Sequence, residues 1–260
     1  MPSARVAVVT GASRGIGLAV SETLVKHGVT VIGVARSKQA LELVQNKAAE
    51  LSTEAQFIPC VADITSSQGI DDILAAVDQQ QQAGGQLVAL INNAGILKPI
   101  RKLADVDLNQ LRSHLETNVL SVIALTQKLL PRLKQTRGRI VNISSSAASS
   151  PYQGLGAYCI GKAALNMFTQ VVAVEEPEIV AVALEPGNVA TDMHVLIRNE
   201  GAAAITPEFY KYLNEIHLSN ILLPPETPAL AIAKLAISAR KGHSGKFYSW
   251  DSPEFSDLSL

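Results

Sequence analysis

Two side chains able to act as an acid–base pair stand one helical turn apart, Tyr158 and Lys162, within Ala157-Tyr158-Cys159-Ile160-Gly161-Lys162. On a helix that spacing puts both on one face. A free tyrosine titrates near pH ~10, too high for easy proton transfer at neutral pH, and a neighbouring ammonium stabilises its phenolate. Upstream, Ile143-Ser144-Ser145-Ser146 offers three hydroxyls that can bind an oxygen atom. Near the start, Thr10-Gly11-Ala12-Ser13-Arg14-Gly15-Ile16-Gly17 is a glycine-rich turn. Glycines let a backbone turn sharply and approach a pyrophosphate, and a helix that follows presents its first N–H groups to the charge. Each feature alone has a bland reading, as surface decoration, a loop or a strand-to-helix joint. Together they fit a dinucleotide held beside a proton donor.

Elements that could position these groups follow from hydrophobic periodicity. Short β-branched runs, Arg5–Thr10, Val29–Ala35, Gln56–Val61, Leu87–Ile91, Arg139–Ile143 and Ile179–Leu184, read as strands, with Lys246–Trp250 as a seventh. Between them Gly15–His27, Ser37–Leu51, Ile70–Gln82 and Leu155–Val174 read as helices. One long helix is expected from Leu108, Leu111, Leu115, Val119, Val122, Leu125 and Leu129, and another near Pro228–Ala239, after an irregular stretch Thr191–Pro225. Strands joined by crossover helices run parallel, and right-handed crossovers cover both faces. The expectation is a single α/β domain over residues 1–260. Its architecture is a Rossmann-type doubly wound parallel sheet of about seven strands, with the ligand crevice at the strands' C-terminal ends.

The Gly-x-x-x-Gly-x-Gly spacing and the tyrosine helix resemble the short-chain dehydrogenase/reductase family, and the likeness runs through the whole chain. It implies that Gly11, Ser13, Arg14, Ile16 and Gly17 line the pyrophosphate, and that Asn93, Ala94 and Gly95 of the Asn92-Asn93-Ala94-Gly95 motif let the ribose lie against the chain. Asp63 would contact the adenine amino group and Ile64 cover the ring, although Asp63 also reads as a helix N-cap. The family's serine lies thirteen residues before its tyrosine, which selects Ser145, with Ser144 and Ser146 competing. Ser145 and Tyr158 would then hold the substrate carbonyl oxygen. Lys162 would lower the tyrosine pKa and bind the ribose, and Asn118 would hold water in a relay to Lys162. Pro186-Gly187-Asn188-Val189-Ala190-Thr191-Asp192-Met193 resembles the nicotinamide loop, with contacts from Pro186, Gly187, Val189, Thr191 and Met193. The resemblance also implies transfer of the pro-S hydride. Within the family, Ala157–Lys162, Val174-Glu175-Glu176-Pro177 and the C-terminal Gly245–Asp251 look most like the branch of sepiapterin and benzil reductases.

An acid at the end of the second strand would bind an adenosine ribose diol. Here that place holds Ala35, followed by Arg36. A guanidinium pairs with a 2′-phosphate, which an acid would repel, so NADP(H) is the expected cofactor. Arg14 points into the same neighbourhood. The alternative is that both arginines are ordinary solvated charges.

Composition narrows the remaining classes. The chain is 47% hydrophobic and only 4% aromatic, so aliphatic side chains must fill a core covered on two faces. A net charge of −1 offers nothing to nucleic acid or an anionic membrane. No apolar run is expected to span a bilayer, and Met1–Arg5 leads straight into a strand without a targeting segment. Cys60 and Cys159 read as reduced thiols of a cytoplasmic protein. His114, His194 and His217 lack metal-ligand spacing and read as surface or packing residues. The later chain must close the crevice, so Thr191–Pro225, Phe209, Tyr210, Tyr212, Tyr248, Trp250 and Asp251 are the candidates for contact with a small carbonyl substrate. For Trp250 and Asp251 the competing reading is the end of a strand and its turn. Surplus apolar positions on Leu111–Leu130 and Leu155–Val174 suggest a homodimer. An alcohol dehydrogenase working oxidatively and a dinucleotide-sensing binding protein are the rival functions.

Overall fold

The computed structural model describes residues 4–260. Seven parallel strands form one sheet in the order β3-β2-β1-β4-β5-β6-β7. They are β1 (Arg5–Thr10), β2 (Val29–Ala35), β3 (Phe57–Val61), β4 (Gln86–Asn92), β5 (Arg139–Ile143), β6 (Val180–Glu185) and β7 (Phe247–Ser249). The order reverses between β1 and β4, so the chain leaves these two strands in opposite directions and a crevice opens there. The helices are α1 (Gly15–Lys26), α2 (Lys38–Ala48), α3 (Ser67–Gln82), α4 (Leu108–Leu115), α5 (Ser121–Thr136), α6 (Gly156–Glu175), α7 (Asp192–Glu200), α8 (Pro207–Leu218) and α9 (Glu226–Ser238).

Alternation along β1 divides its side chains between two cores. Ala7 and Val9 join Leu24 of α1, Leu41 of α2 and Ile232 of α9. Val6 and Val8 join Ile73 of α3 and Leu125, Leu129 and Leu133 of α5 on the opposite face. A third cluster brings Ile197 of α7 and Leu213 and Ile216 of α8 against Leu97 and Leu155, with Tyr158 packed on it. Burying one leucine-sized side chain stabilises by roughly 1.5–3 kcal/mol, so these three layers hold the strand ends and the covering helices in place.

Three features depart from the sequence reading. The expected long helix is broken by a π-helical turn at Glu116–Leu120. Leu108 and Leu120 are exposed, whereas His114, Asn118 and Ser121 face inward. The stretch after the sixth strand is not irregular, because it carries α7 and α8. The Thr206 hydroxyl accepts the Phe209 N–H, and Pro207 sits in the first turn, where its missing N–H costs nothing. Finally, α6 is long and apolar enough by length and composition to cross a membrane. In this structure it packs on β5, β6 and α4 and carries the buried Lys162.

Candidate active site

The ends of β1 and β4 are stitched together at the crevice. The Thr10 hydroxyl accepts the backbone N–H groups of Asn93 and Ala94, both at 3.0 Å. The Asn93 amide donates back to the Thr10 carbonyl at 2.9 Å. Packing is so close that a Cβ on Gly17 would lie 2.3 Å from the Gly11 carbonyl oxygen. Gly11 itself has φ +68°, where side chains are strained. Among the described residues, no side chain caps the start of α1 and no acid stands in its first turn. Its first N–H groups are therefore available to an anion. The cradle fits a dinucleotide pyrophosphate, with Ser13, Ile16 and Gly15 around it and Thr191 beside Gly15.

Around the adenosine end, the Asp63 carboxylate accepts the Thr65 N–H at 2.9 Å and the Thr65 hydroxyl at 2.7 Å. These bonds hold its pKa low, and the charge of Arg36 adds to the effect. Asp63 does not cap the following helix, because the Ser66 hydroxyl does so by accepting the Gly69 N–H. Ile64 is partly buried beside it, and Arg36 is exposed at the end of β2. Arg14 is exposed and paired with Asp192 at 2.6 Å.

Past β5 the three serines separate by partner. Ser144 donates to the Asn166 side chain at 2.6 Å, and Ser146 pairs with the Tyr152 hydroxyl at 3.2 Å. Ser145 accepts the Ala147 N–H and sets its hydroxyl beside the Tyr158 phenol. Lys162, buried on the next turn of α6, donates to the Ile143 carbonyl at 2.5 Å and stands 5.5 Å from the Tyr158 ring centre. Burial pushes the Lys162 ammonium down to about 8. Burial also pushes the Tyr158 phenol up to about 12, against a smaller downward pull from Ser145. The phenol is therefore held in its protonated form, ready to donate.

Asn118 sits in the π turn. Its side-chain oxygen accepts the Ile96 N–H and its amide donates to the Ile96 carbonyl, each at 2.8 Å. The second amide hydrogen goes to the His114 ring at 2.9 Å. Both amide hydrogens are used, so a water relay through this residue would have to use its main chain. Asn118 also closes against Gly95, where a Cβ would lie 3.3 Å from the side-chain oxygen.

Ser145, Tyr158, Pro186, Gly187, Val189, Thr191 and Met193 line one cavity of about 230 Å³. Its aromatic wall is Tyr152, Phe209 and Tyr212, with successive ring centres 4.9 and 6.3 Å apart. A larger open cleft of about 1170 Å³ beside Lys98, Arg101 and Asp105 is lined by none of the catalytic candidates. Trp250 and Asp251 do not line the catalytic cavity. Trp250 packs against the expected nicotinamide loop, where a Cβ on Gly187 would lie 2.8 Å from its Nε1. Asp251 is exposed in the following turn, and Tyr248 is buried against Phe255. Tyr152 and Glu185 are among the cavity residues that escape the sequence reading. Tyr152 lies in a loop without periodicity, and Glu185 ends a strand whose side chains otherwise face the core.

Comparison with known proteins places this arrangement. The family model described as short chain dehydrogenase matches residues 5–201. The benzil reductase ((S)-benzoin forming) of Saccharomyces cerevisiae is 34% identical over 244 residues, covering 90% of each chain. Bovine sepiapterin reductase is 33% identical over 219 residues, covering 80% of each. The crystal structure of the short chain dehydrogenase/reductase YIR035C from Saccharomyces cerevisiae superposes with a TM-score of 0.91 at 33% identity, covering 98% of this chain and 100% of that one.

Proposed function

The chain belongs to the short chain dehydrogenase family, and on that premise we propose that it is an NADPH-dependent reductase of aromatic or conjugated ketones and aldehydes. The observation that carries this reading is the Tyr158 phenol and the Ser145 hydroxyl sharing one cavity with an aromatic wall. Bound NADPH supplies a hydride from its nicotinamide ring. Gly11, Ser13, Ile16 and Gly17 would hold its pyrophosphate; Asn93, Ala94, Gly95 and Lys162 its ribose; and Pro186, Gly187, Val189, Thr191 and Met193 its nicotinamide end. Ser145 donates a hydrogen bond to the carbonyl oxygen and orients it toward Tyr158. Tyr158 passes its proton to that oxygen as negative charge develops there. The relatives' names, a benzil reductase and a sepiapterin reductase, agree with a flat conjugated substrate.

Consumption of NADPH with benzil as the aromatic diketone tests the reading directly, and its absence across a panel of carbonyl compounds would overturn it. Tyr152, Phe209 and Tyr212 supply the wall, so Phe209→Ala should raise KM for benzil roughly 5- to 150-fold, the range for losing about 1–3 kcal/mol of aromatic burial. A small aliphatic aldehyde that reaches only Ser145 and Tyr158 should show little change. Equal losses for both substrates would assign Phe209 to structure alone.

The enzyme is proposed to act in the cytoplasm as a homodimer. Leu120 on the π turn and Ile160, Met167, Val171 and Val174 along α6 leave an exposed apolar face, with Val174 81% exposed. Such a face favours association with a second copy. Light scattering should give twice the 27.6 kDa chain mass at micromolar concentration, and a mass of 27.6 kDa would reject the dimer.

A further inference from the structure

His114 is fully buried beneath the catalytic helix, and both its ring nitrogens are engaged. One ring nitrogen, Nδ1, meets the Lys98 carbonyl at 2.7 Å. A carbonyl only accepts, so Nδ1 carries the proton. The other, Nε2, meets the Asn118 amide at 2.9 Å. That amide cannot be turned around, because the Ile96 N–H requires the oxygen and the Ile96 carbonyl requires the nitrogen. The amide therefore donates and Nε2 accepts, so the neutral Nδ1–H tautomer is fixed from both ends.

The same ring stands edge-on to Tyr158, with centres 6.2 Å apart at 80°. Next to it on α6, Gly161 provides the room, since a Cβ there would lie 3.2 Å from Nε2. His114 thus ties together the loop after β4, the π turn and the helix that carries the proton donor. We propose that His114 is a positioning residue for Tyr158 and Asn118, and that taking up a proton disables it.

The reason is geometric. A proton on Nε2 would face the hydrogens of the Asn118 amide, donor against donor, while Ile96 keeps the amide from turning. From α6, Lys162 brings a positive charge that opposes a second one, and Tyr158 presents a neutral ring. The Lys98 ammonium, from the loop, is paired with Glu200 at 2.8 Å. On its own helix the nearby Arg112 is exposed and bonded to Asn109. Burial and Lys162 hold the His114 pKa below the ordinary histidine value, outweighing the Lys98 carbonyl. His114 is accordingly neutral at pH 7 and becomes charged only as the pH falls below about 6.5.

This inference rests on Tyr158 as proton donor, and it predicts a loss in acid that Tyr158 alone would not cause. A phenol stays protonated in acid, and Lys162 titrates on the alkaline side, so neither slows carbonyl reduction as pH falls. The wild type should therefore show an acid limb in kcat for benzil reduction, with its midpoint below pH ~6.5. His114→Leu should lower kcat at pH 7 roughly 5- to 150-fold, as expected for a buried amide left unpaired, with KM for NADPH within about twofold. His114→Gln, which can accept from Asn118 but cannot titrate, should recover most of that loss and remove the acid limb. A His114→Leu protein with wild-type kcat, or a His114→Gln protein that keeps the acid limb, overturns the proposal. If the leucine variant fails to fold, nitrogen-resolved NMR of the isotope-labelled wild type decides, because a protonated Nε2 at pH 7 is incompatible with the network. A wild type that reduces no carbonyl compound refutes the functional reading instead, and the NMR result still judges the network.

Discussion

Replacing Tyr158 by phenylalanine will lower kcat for carbonyl reduction by roughly 100- to 10,000-fold, the range expected for loss of a positioned general acid. The phenol stands beside Ser145 in the cavity and is held protonated by burial. Phenylalanine keeps the ring, its edge-on contact with His114 and its packing on the cluster of Leu97, Leu155 and Ile197. Fold and NADPH affinity should therefore change little, because the pyrophosphate cradle at Gly11–Gly17 lies on other elements. Single-turnover rates with saturating NADPH, alongside the cofactor Kd, separate the two effects. A variant that retains more than about a tenth of the wild-type rate would remove Tyr158 from the role of proton donor.

The second large effect concerns the cofactor. The wild type should prefer NADPH over NADH, and Ala35→Asp combined with Arg36→Ala should shift that preference toward NADH. Arg36 is exposed at the end of β2, close enough to Asp63 for its charge to be felt there. A guanidinium at that position can pair with a 2′-phosphate, while an aspartate would repel the phosphate and accept from a ribose diol. Loss of such a charge-assisted bond costs about 1.5–3 kcal/mol, or roughly 10- to 150-fold in kcat/KM for NADPH. Arg14 is held by Asp192 and contributes only if that ion pair opens, so Arg36 carries most of the preference. Equal kcat/KM for the two cofactors in the wild type would refute the assignment.

Motifs confined to one strand and its turn are legible in the order of residues alone, because their chemistry is local. Gly11, Gly15 and Gly17 follow a strand and open a helix, and the close approach of Gly17 to the Gly11 carbonyl explains why small residues stand there. Tyr158 and Lys162 share a face wherever the helix goes. Ser145 needs the family spacing, since adjacent serines look alike in sequence and differ only in the partners that Asn166 and Tyr152 bring.

Hydrophobic period is enough to specify the parallel α/β sheet with its crossovers, and backbone geometry is enough to specify the turns that require glycine. Which side chains meet across elements is settled at the tertiary level. Trp250 reads in the sequence either as a substrate wall or as the end of a strand, and it packs against Gly187 without lining the cavity, while Phe209 and Tyr212 reach the cavity from a capped helix. His114 shares a face with Asn118 by its four-residue spacing, yet reads as incidental because the Lys98 and Ile96 backbone groups that meet the pair come from a separate loop. A helical period fixes the angle between neighbours on one helix. It carries no information about the residue that will lie opposite, and that residue sets the hydrogen bonds, burial and pKa on which the chemistry depends.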